Sequence, residues 1–323
     1  MAHRLEVIRD FSWLLKHEEE IIELVQKADY ENHYFLMPWL KSWEHRQVPP
    51  IKPVIFIIRS PRGQLHGMWP FIERKGLLGS TGLWPFVYDE ANYFHPICME
   101  SAASELVKGL RGCLSQFTFC WIPLVSQQFW RLHLEPNCGT DRLHLARVAR
   151  KTSLVYNQQG SSFEDYWSSK MGGKSKKSFR YDQKALAKKG EIKIETYATF
   201  EEVRAIMPTT CVVEVESWKS KEGAGLYTIR GKRGFFFELL PELAKHGNVR
   251  VSILSLDQRP IAWQVELVGM KRVGIHHLAF DQNWKKYSPG KQLLFHRMLE
   301  IWKENKILDF LPLNMDYKEK IST

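Results

Sequence analysis

Hydrophobic positions along the chain switch between a spacing of three to four residues and a spacing of two, which predicts a mixed α/β protein. The first half contains amphipathic segments and short apolar runs separated by turn residues. These patterns predict helices over 13–28, 38–46 and 101–116, strands over 54–60, 65–72 and 117–123, and a loop over 77–96.

The second half shows the same two periods more clearly. They predict helices over 163–189, 200–216, 233–246 and the segment after residue 290, and strands over 249–256, 261–269, 273–280 and 307–311. Pro208 lies within the second of these helices, and we expect it to kink or end a first helical segment because proline lacks the backbone N–H.

Two hairpins resemble each other across the halves. Residues 56–69 and residues 253–263 each place a turn of polar residues, proline and arginine between two apolar strands that lead to a tryptophan. We therefore predict a tandem duplication of one α/β unit, with lobes at 1–150 and 151–323. Chain length is sufficient for two such cores.

The segment Ser288-Pro289-Gly290-Lys291 follows a predicted strand and opens a predicted helix. Backbone N–H groups in the first helical turn have no intrahelical acceptor, and the helix dipole is positive there, so a helix start attracts anions. Ser288 suits the N-cap and Pro289 the first helical position. The turn predicts a phosphate site, and the alternative is an ordinary strand-to-helix connection. The first half has no such turn before its helix, so we expect its lobe to lack the site.

Composition limits the class of protein. Apolar residues make up 44%, and 46 Lys and Arg against 36 Asp and Glu give a formal charge of +10, which favours an acidic partner. Five cysteines without a C-x-x-C pair favour reduced thiols in a cytoplasmic protein. The sequence shows neither a signal peptide nor an apolar run of the roughly 20 residues that span a bilayer. It also lacks nucleophile-elbow, zinc-protease and Walker motifs, so we expect no metal site.

Several short motifs in the second half occur in one order and spacing: a basic segment at 174–189, Ser217-Trp218-Lys219, Tyr287-Ser288-Pro289-Gly290, Asp309-Phe310 and Tyr317-Lys318. In these motifs the region 160–320 resembles the CelD-like acetyltransferases of cellulose biosynthesis, a family of the GNAT superfamily distantly related to the Fem-type aminoacyltransferases. The resemblance implies a tandem GNAT fold of mixed sheets flanked by helices. It also implies an N-acyltransferase that moves an acetyl or longer acyl group from acyl-CoA to an amine by direct attack.

Candidate site residues combine the turn with the motifs. For catalysis we expect Glu216, His276 and Tyr317; for substrate binding, Trp218, Lys219 and Asp316; and for the cofactor, Tyr287, Ser288, Pro289, Gly290, Lys291 and Lys318. The roles of Tyr317, Lys318, Trp218 and Lys219 are implied by the resemblance. Strand alternation would send His276 and His277 to opposite faces, so at most one of them faces the cleft. Glu214 is an alternative carboxylate to Glu216.

The basic segment from Lys170 to Lys189 leaves two other functions open. It is either a solvated helix face or a docking surface for an acyl carrier protein, a tRNA or an anionic membrane. Docking would favour an aminoacyl-tRNA or acyl carrier protein as the donor. The remaining alternative is a non-catalytic scaffold in polysaccharide or envelope biosynthesis.

Overall fold

The computed structural model describes residues 3–47, 51–76, 79–137, 154–155, 162–228 and 232–311. The chain divides into two compact units, Met1–Val148 and Ala149–Thr323. Among the described helices, none is long and apolar enough to cross a bilayer.

The first unit builds one sheet with helices between its strands. Its strands are β1 Arg4–Ile8, β2 Lys52–Arg59, β3 Leu65–Lys75, β4 Thr81–Pro85, β5 Ile97–Cys98 and β6 Phe119–Cys120. Its α-helices are α1 Ser12–Lys16, α2 Glu18–Lys27, α3 Met37–His45, α4 Glu100–Cys113, α5 Gln127–Phe129 and α6 Glu135–Asn137, the last two joined by a π-helical turn over Trp130–Leu134. The sheet order is β1-β2-β3-β4-β6, with β5 beside β3. Only the β4–β6 pair is parallel among its described strands.

The second unit repeats this plan. Its strands are β7 Leu154–Val155, β8 Ile192–Tyr197, β9 Val249–Leu256, β10 Arg259–Val268, β11 Arg272–Phe280 and β12 Ile307–Asp309. Its helices are α7 Phe163–Lys170, α8 Gly173–Ala187, α9 Phe200–Val215, α10 Trp218–Lys221, α11 Lys232–Lys245 and α12 Pro289–Lys303. The sheet order is β7-β12-β11-β10-β9-β8, and only β11 and β12 pair in parallel within the described part.

The topology confirms the predicted duplication. In each unit one strand, β1 or β8, precedes three α-helices. An antiparallel hairpin and a further antiparallel strand follow, and a helix then leads to a parallel closing strand. Thus β1, β2, β3, β4, α4 and β6 correspond to β8, β9, β10, β11, α12 and β12. The two hairpins that look alike in sequence are β2–β3 and β9–β10.

Several sequence expectations differ from the structure in detail. The predicted loop 77–96 contains β4, where the Gly82 position would place a Cβ 2.3 Å from Cζ of Phe119, so glycine lets the two strands approach. The predicted helix 163–189 is two helices, because Met171 and Gly172 are not helical. Helix α9 runs through Pro208, so of the two outcomes expected at this proline the end of a first helical segment does not occur.

Each face of the second sheet has its own helical layer. Helices α9 and α11 pack together on one face. On the other, α7 and α12 share an apolar cluster with β11 and β12, and α8 joins α12 over β9 and β10. A buried ion pair also fixes α12 there, since Nε and Nη2 of Arg297 donate to the two carboxylate oxygens of Glu266 on β10 at 2.7 and 3.0 Å.

Candidate active site

Among the described residues of the second sheet, half of strand β11 has an open edge. Pairing between β11 and β12 covers only Arg272–Gly274 against Ile307–Asp309. Within the described residues, no strand lies beside Ile275–Phe280 on that side. Unpaired backbone groups at a sheet edge can form hydrogen bonds with an added strand or another extended molecule.

A β-bulge interrupts the other side of the same strand. His277 pairs with Val265 and Ile275 pairs with Glu266, which leaves His276 as the extra residue. The prediction that His276 and His277 face opposite sides is wrong, because a bulge breaks strict alternation. The His276 ring lies against Phe236 on α11, and His277 contacts α9, so both side chains face the α9–α11 layer.

The helix after β11 begins beside the open edge. A Cβ at Gly290 would lie 2.9 Å from Cδ1 of Phe280 and 3.0 Å from Cδ2 of Leu278, so glycine allows this close approach. Ser288 has a left-handed backbone (φ 51°) and Pro289 occupies the first turn. The N–H groups of Gly290 and Lys291 consequently point out of the start of a 15-residue helix, next to the unpaired half of β11.

The side chains of Ser288 and Lys291 at this helix start both contact α8. Ser288 occupies the N-cap position, but its Oγ donates to Oδ2 of Asp182 on α8 at 2.9 Å instead of capping the helix. The Lys291 ammonium lies 5.3 Å from the ring centre of Phe179 on α8. Burial lowers the pKa of Lys291, and the Asp182 carboxylate partly offsets that effect. Helix α8 thus forms one wall of the candidate anion site, which we call the anion socket (residues 287–291).

Tyr287 and Pro289 contribute to the anion socket mainly through their backbone and their packing. The Tyr287 ring belongs to an apolar cluster with Leu186 and Leu293. Its carbonyl accepts a 2.8 Å hydrogen bond from Nε2 of the buried Gln292, and Pro289 is also buried. These contacts make the turn rigid, so the helix start is held in place before any ligand binds.

A buried chain of polar contacts joins α9, α10 and β11. Nε2 of His277 lies 2.7 Å from Oε2 of Glu214, and Nδ1 of His277 lies 3.3 Å from Nζ of Lys219. The backbone N–H of Tyr227 donates to Oε1 of Glu214 at 2.8 Å. Burial, and then the nearby Lys219 ammonium, lower the pKa of His277 to about 4, so the imidazole is neutral at pH 7. We call Glu214, His277 and Lys219 the Glu–His–Lys triad.

The expected catalytic and substrate residues are placed as follows. Glu216 is exposed at the end of α9, and its carbonyl accepts from the Gln282 N–H at 3.1 Å, so the carboxylate that meets a histidine is Glu214. Trp218 is half-buried at the first position of α10, beside Lys219. Asp316, Tyr317 and Lys318 lie outside the described residues, and their roles stay predictions.

Sequence reasoning weighed Glu214 and His277 only as alternatives to Glu216 and His276, and it did not consider Asp182. Asp182 is the one acidic residue in the basic segment 173–189, which was an available signal. Glu214 and His277 are 63 residues apart and no local pattern connects them. Among the described residues, no group of three or more His, Cys, Asp and Glu side chains is arranged to hold a metal ion.

Comparisons with known proteins agree with this geometry. Residues 173–319 match the family model described as "Acetyltransferase (GNAT) domain". FemX is similar in structure, with TM-score 0.61 at 9% identity over 96% of this chain and 89% of that one. No curated protein matches in sequence.

Two other solved structures are similar over nearly the full chain. A conserved protein of unknown function from Bacteroides thetaiotaomicron gives TM-score 0.55 at 11% identity, covering 98% of this chain and 94% of that one. The C-terminal domain of a putative lysylphosphatidylglycerol synthetase from Agrobacterium fabrum gives 0.55 at 13%, covering 94% and 79%. At these identities the structures show the fold, and the family model shows the type of domain. The chain thus has a tandem GNAT fold, and residues 173–319 in its second unit match the model of an acetyltransferase (GNAT) domain.

Proposed function

We propose that the second unit transfers an acetyl or longer acyl group from acyl-CoA to an amine by direct attack. The observation that carries this is the position of the anion socket directly beside the open edge of β11. One end of a donor then binds a helix start while its acyl end lies along a strand. The motifs around Trp218, Gly290 and Asp309 favour the CelD-like family within the superfamily.

The donor fits the described chemistry in two places. Its pyrophosphate would accept from the N–H groups of Gly290 and Lys291, where the helix dipole and the Lys291 ammonium add positive charge. Its pantetheine arm would follow Ile275–Phe280 as an added strand does, through backbone hydrogen bonds. The thioester would then lie near the bulge, where backbone N–H groups can meet the oxygen that gains charge during attack.

The first unit differs from the second at the positions of the donor site, which supports one donor site in the second unit alone. The start of α4 corresponds to the anion socket, yet the N–H of Glu100 there donates to the Asp29 carboxylate at 2.9 Å. Directly after the paired residues of β4 and β6, the rings of Trp84 and Trp121 meet with centroids 4.6 Å apart. A carboxylate and two indoles therefore occupy the positions where phosphate and acyl arm would bind, and we propose that this lobe binds no donor.

Calorimetry with acetyl-CoA and longer acyl-CoAs tests the proposal. Replacing Gly290 would disturb Leu278 and Phe280, so Lys291→Gln is the better variant, because it removes charge at the socket and leaves the backbone intact. Lys303→Gln removes the same charge at the far end of α12. We expect micromolar binding, weakened about tenfold by Lys291→Gln and unchanged by Lys303→Gln.

Turnover separates the catalytic proposal from a scaffold. Release of free CoA in the presence of an amine, with the acyl group recovered on that amine, is the expected result. Binding of acyl-CoA without transfer to any amine would favour the scaffold, and absence of binding would refute the acyl-CoA donor.

A second candidate donor, an aminoacyl-tRNA or an acyl carrier protein, is favoured by one observation. Helix α8 contacts the anion socket through Asp182, and it presents exposed cations to solvent at Lys174, Lys177, Arg180 and Lys184. An extended acidic donor seated on the socket would meet these charges. Replacing Lys177 and Lys184 with Gln should then weaken donor binding and reduce its salt dependence. If acyl-CoA is the whole donor, the same double variant leaves its affinity nearly unchanged.

A further inference from the structure

We propose that the first unit carries a docking surface for an anionic membrane, formed by aromatic side chains and a stacked arginine at one edge of its sheet. We call this surface the aromatic patch and define it as Arg74, Trp84, Tyr88, Phe119 and Trp121. The inference is independent of the proposed acyl transfer, because all five residues lie in the unit for which we propose no donor site.

Two large apolar side chains of the aromatic patch are exposed. Phe119 on β6 is 37% exposed, and Trp121, directly after β6, is 39% exposed. Both rings contact Trp84, with centroid distances of 6.1 and 4.6 Å. Strand β6 is the last strand on its side of the described sheet. Exposed aromatic side chains that lie together, rather than singly, mark a surface that another molecule covers.

The aromatic patch is held rigidly from below. Trp84 lies 5.3 Å from Tyr88, and Tyr88 packs at 5.8 Å against the fully buried Trp43, whose Nε1 donates to Asp89 at 2.7 Å. The turn that returns Tyr88 to Trp84 contains Val87 with a left-handed backbone (φ 58°), which β-branched residues rarely adopt. Because the rings are already fixed, little conformational entropy is lost when another surface covers them.

Arg74 gives the aromatic patch a positive charge that is not neutralised. Its guanidinium carbon lies 5.3 Å from the ring centre of Trp84 and 4.8 Å from that of Tyr88, so neutral rings orient the charge. In the part of the chain that the structure describes, no carboxylate pairs with Arg74 or with the exposed Lys75 that follows it. Both side chains can therefore meet an anion.

The carboxylates that are near the aromatic patch in sequence already have cationic partners. The pairs are Glu73 with Arg9 and Lys52 at 3.6 and 3.7 Å, and Asp89 and Glu90 with Arg46 at 2.7 and 2.8 Å. These acids consequently do little to repel an anionic surface.

The combination favours a membrane over a small anion or a nucleic acid. A free phosphate would use Arg74 and leave Phe119 and Trp121 uncovered. The rings around Trp84 meet it at 60–75°, so they offer no series of parallel faces for stacked bases. At an anionic bilayer, the cations meet lipid phosphates while the aromatic rings enter the interfacial layer, where tryptophan is enriched in membrane proteins.

Co-sedimentation with vesicles tests the proposal, using phosphatidylcholine alone and phosphatidylcholine with about 30% phosphatidylserine, which supplies the negative surface potential. We expect binding to the anionic vesicles that falls with added salt, and much weaker binding to the neutral ones. Arg74→Gln should weaken binding about fivefold, and Trp121→Ser about tenfold. Two control variants should bind as wild type: Arg62→Gln in the turn at the other end of β3, and Leu5→Ser on β1 at the opposite edge of the sheet.

Brominated phosphatidylcholine in the same anionic vesicles reports which surface makes contact, because bromine quenches indoles that enter the interfacial layer. Trp121→Phe keeps an apolar ring and removes the reporter, so it should bind nearly as wild type but lose most of the quenching. Urea midpoints check that each variant is folded, and Arg74→Gln leaves the core untouched.

Three results would overturn the proposal. The first is equal binding of wild type, Arg74→Gln and Trp121→Ser, which would assign vesicle binding to another basic surface such as α8. The second is full competition by inorganic phosphate at constant ionic strength, which would assign Arg74 to a free anion. The third is a dimer in light scattering that Trp121→Ser dissociates, without vesicle binding, which would assign the aromatic patch to a second copy of the chain.

Discussion

Arg297→Met should destabilise the second unit and weaken the anion socket together. Arg297 is 5% exposed and Glu266 is fully buried. Their two hydrogen bonds fix α12, whose first turn forms the socket, onto β10. Gln264 also donates to Glu266 at 2.9 Å, and Arg297 donates to Oγ1 of Thr196 at 3.1 Å, so the pair lies in a hydrogen-bonded network.

The size of the effect follows from what the substitution leaves behind. After Arg297→Met the Glu266 carboxylate keeps only the Gln264 amide among these partners, and breaking a buried ion pair in this way costs about 3–5 kcal/mol. Adding Glu266→Met removes the unpaired charge. The double variant then loses only the smaller bonds to Gln264 and Thr196, for which we expect about 1–2 kcal/mol below wild type.

Urea unfolding followed by tryptophan fluorescence measures the free energy of unfolding of both variants. A double-mutant cycle that includes Glu266→Met isolates the coupling energy between Arg297 and Glu266. Calorimetry with acyl-CoA on the folded proteins reports whether the socket has moved. A single variant within about 1 kcal/mol of wild type, or a double variant less stable than the single one, would refute the claim that an unpaired buried charge dominates the loss.

Three further predictions concern titration, charge and capping. The pKa of His277 is about 4 in the folded protein and 6.5 ordinarily, so between pH 4 and pH 6.5 the unfolded state binds more protons than the folded state. The free energy of unfolding should therefore fall by up to about 3 kcal/mol as the pH drops from 6.5 to 4. His277→Gln should flatten the curve of urea midpoint against pH in that window. Asp182→Asn removes a negative charge beside Ser288 and should tighten acyl-CoA binding by about three- to tenfold at low salt. The gain in affinity should be smaller in about 0.5 M NaCl, because salt screens the charge. Weaker binding by calorimetry would mean that Asp182 serves mainly to orient Ser288. Asp29→Ala removes the acceptor for the first N–H of α4 and should lower the free energy of unfolding by about 1 kcal/mol without changing donor affinity. If the first unit of this variant gained acyl-CoA binding, Asp29 would occupy a former phosphate site.

Sequence periodicity was sufficient for the long elements and the duplication. The hairpins β2–β3 and β9–β10 carry continuous apolar runs bounded by turn residues, and such runs are buried wherever they occur. It failed for β4, whose Gly82 and Pro85 are poor strand formers that contacts with β3 and β6 override. The break between α7 and α8 was also missed, although the dipeptide Gly172-Gly173 is typical of turns.

The anion socket could be located from sequence because all its parts are local. A strand end, Ser288, Pro289 and Gly290 follow one another within a few residues, and the backbone chemistry of a helix start depends on that order alone. What the sequence could not supply was the contact of Ser288 with Asp182, which is 106 residues away.

The sequence by itself thus determined the two α/β units, the helix start that can hold an anion and the short motifs around that helix start. Tertiary structure alone decided which carboxylate meets which histidine. The bulge at His276 turns both histidines to one face, so Glu214, His277 and Lys219 meet, and Glu216 remains in solvent. The physical reason is that helix and strand periods arise from neighbours in the chain, whereas a buried polar contact depends on how separate elements pack.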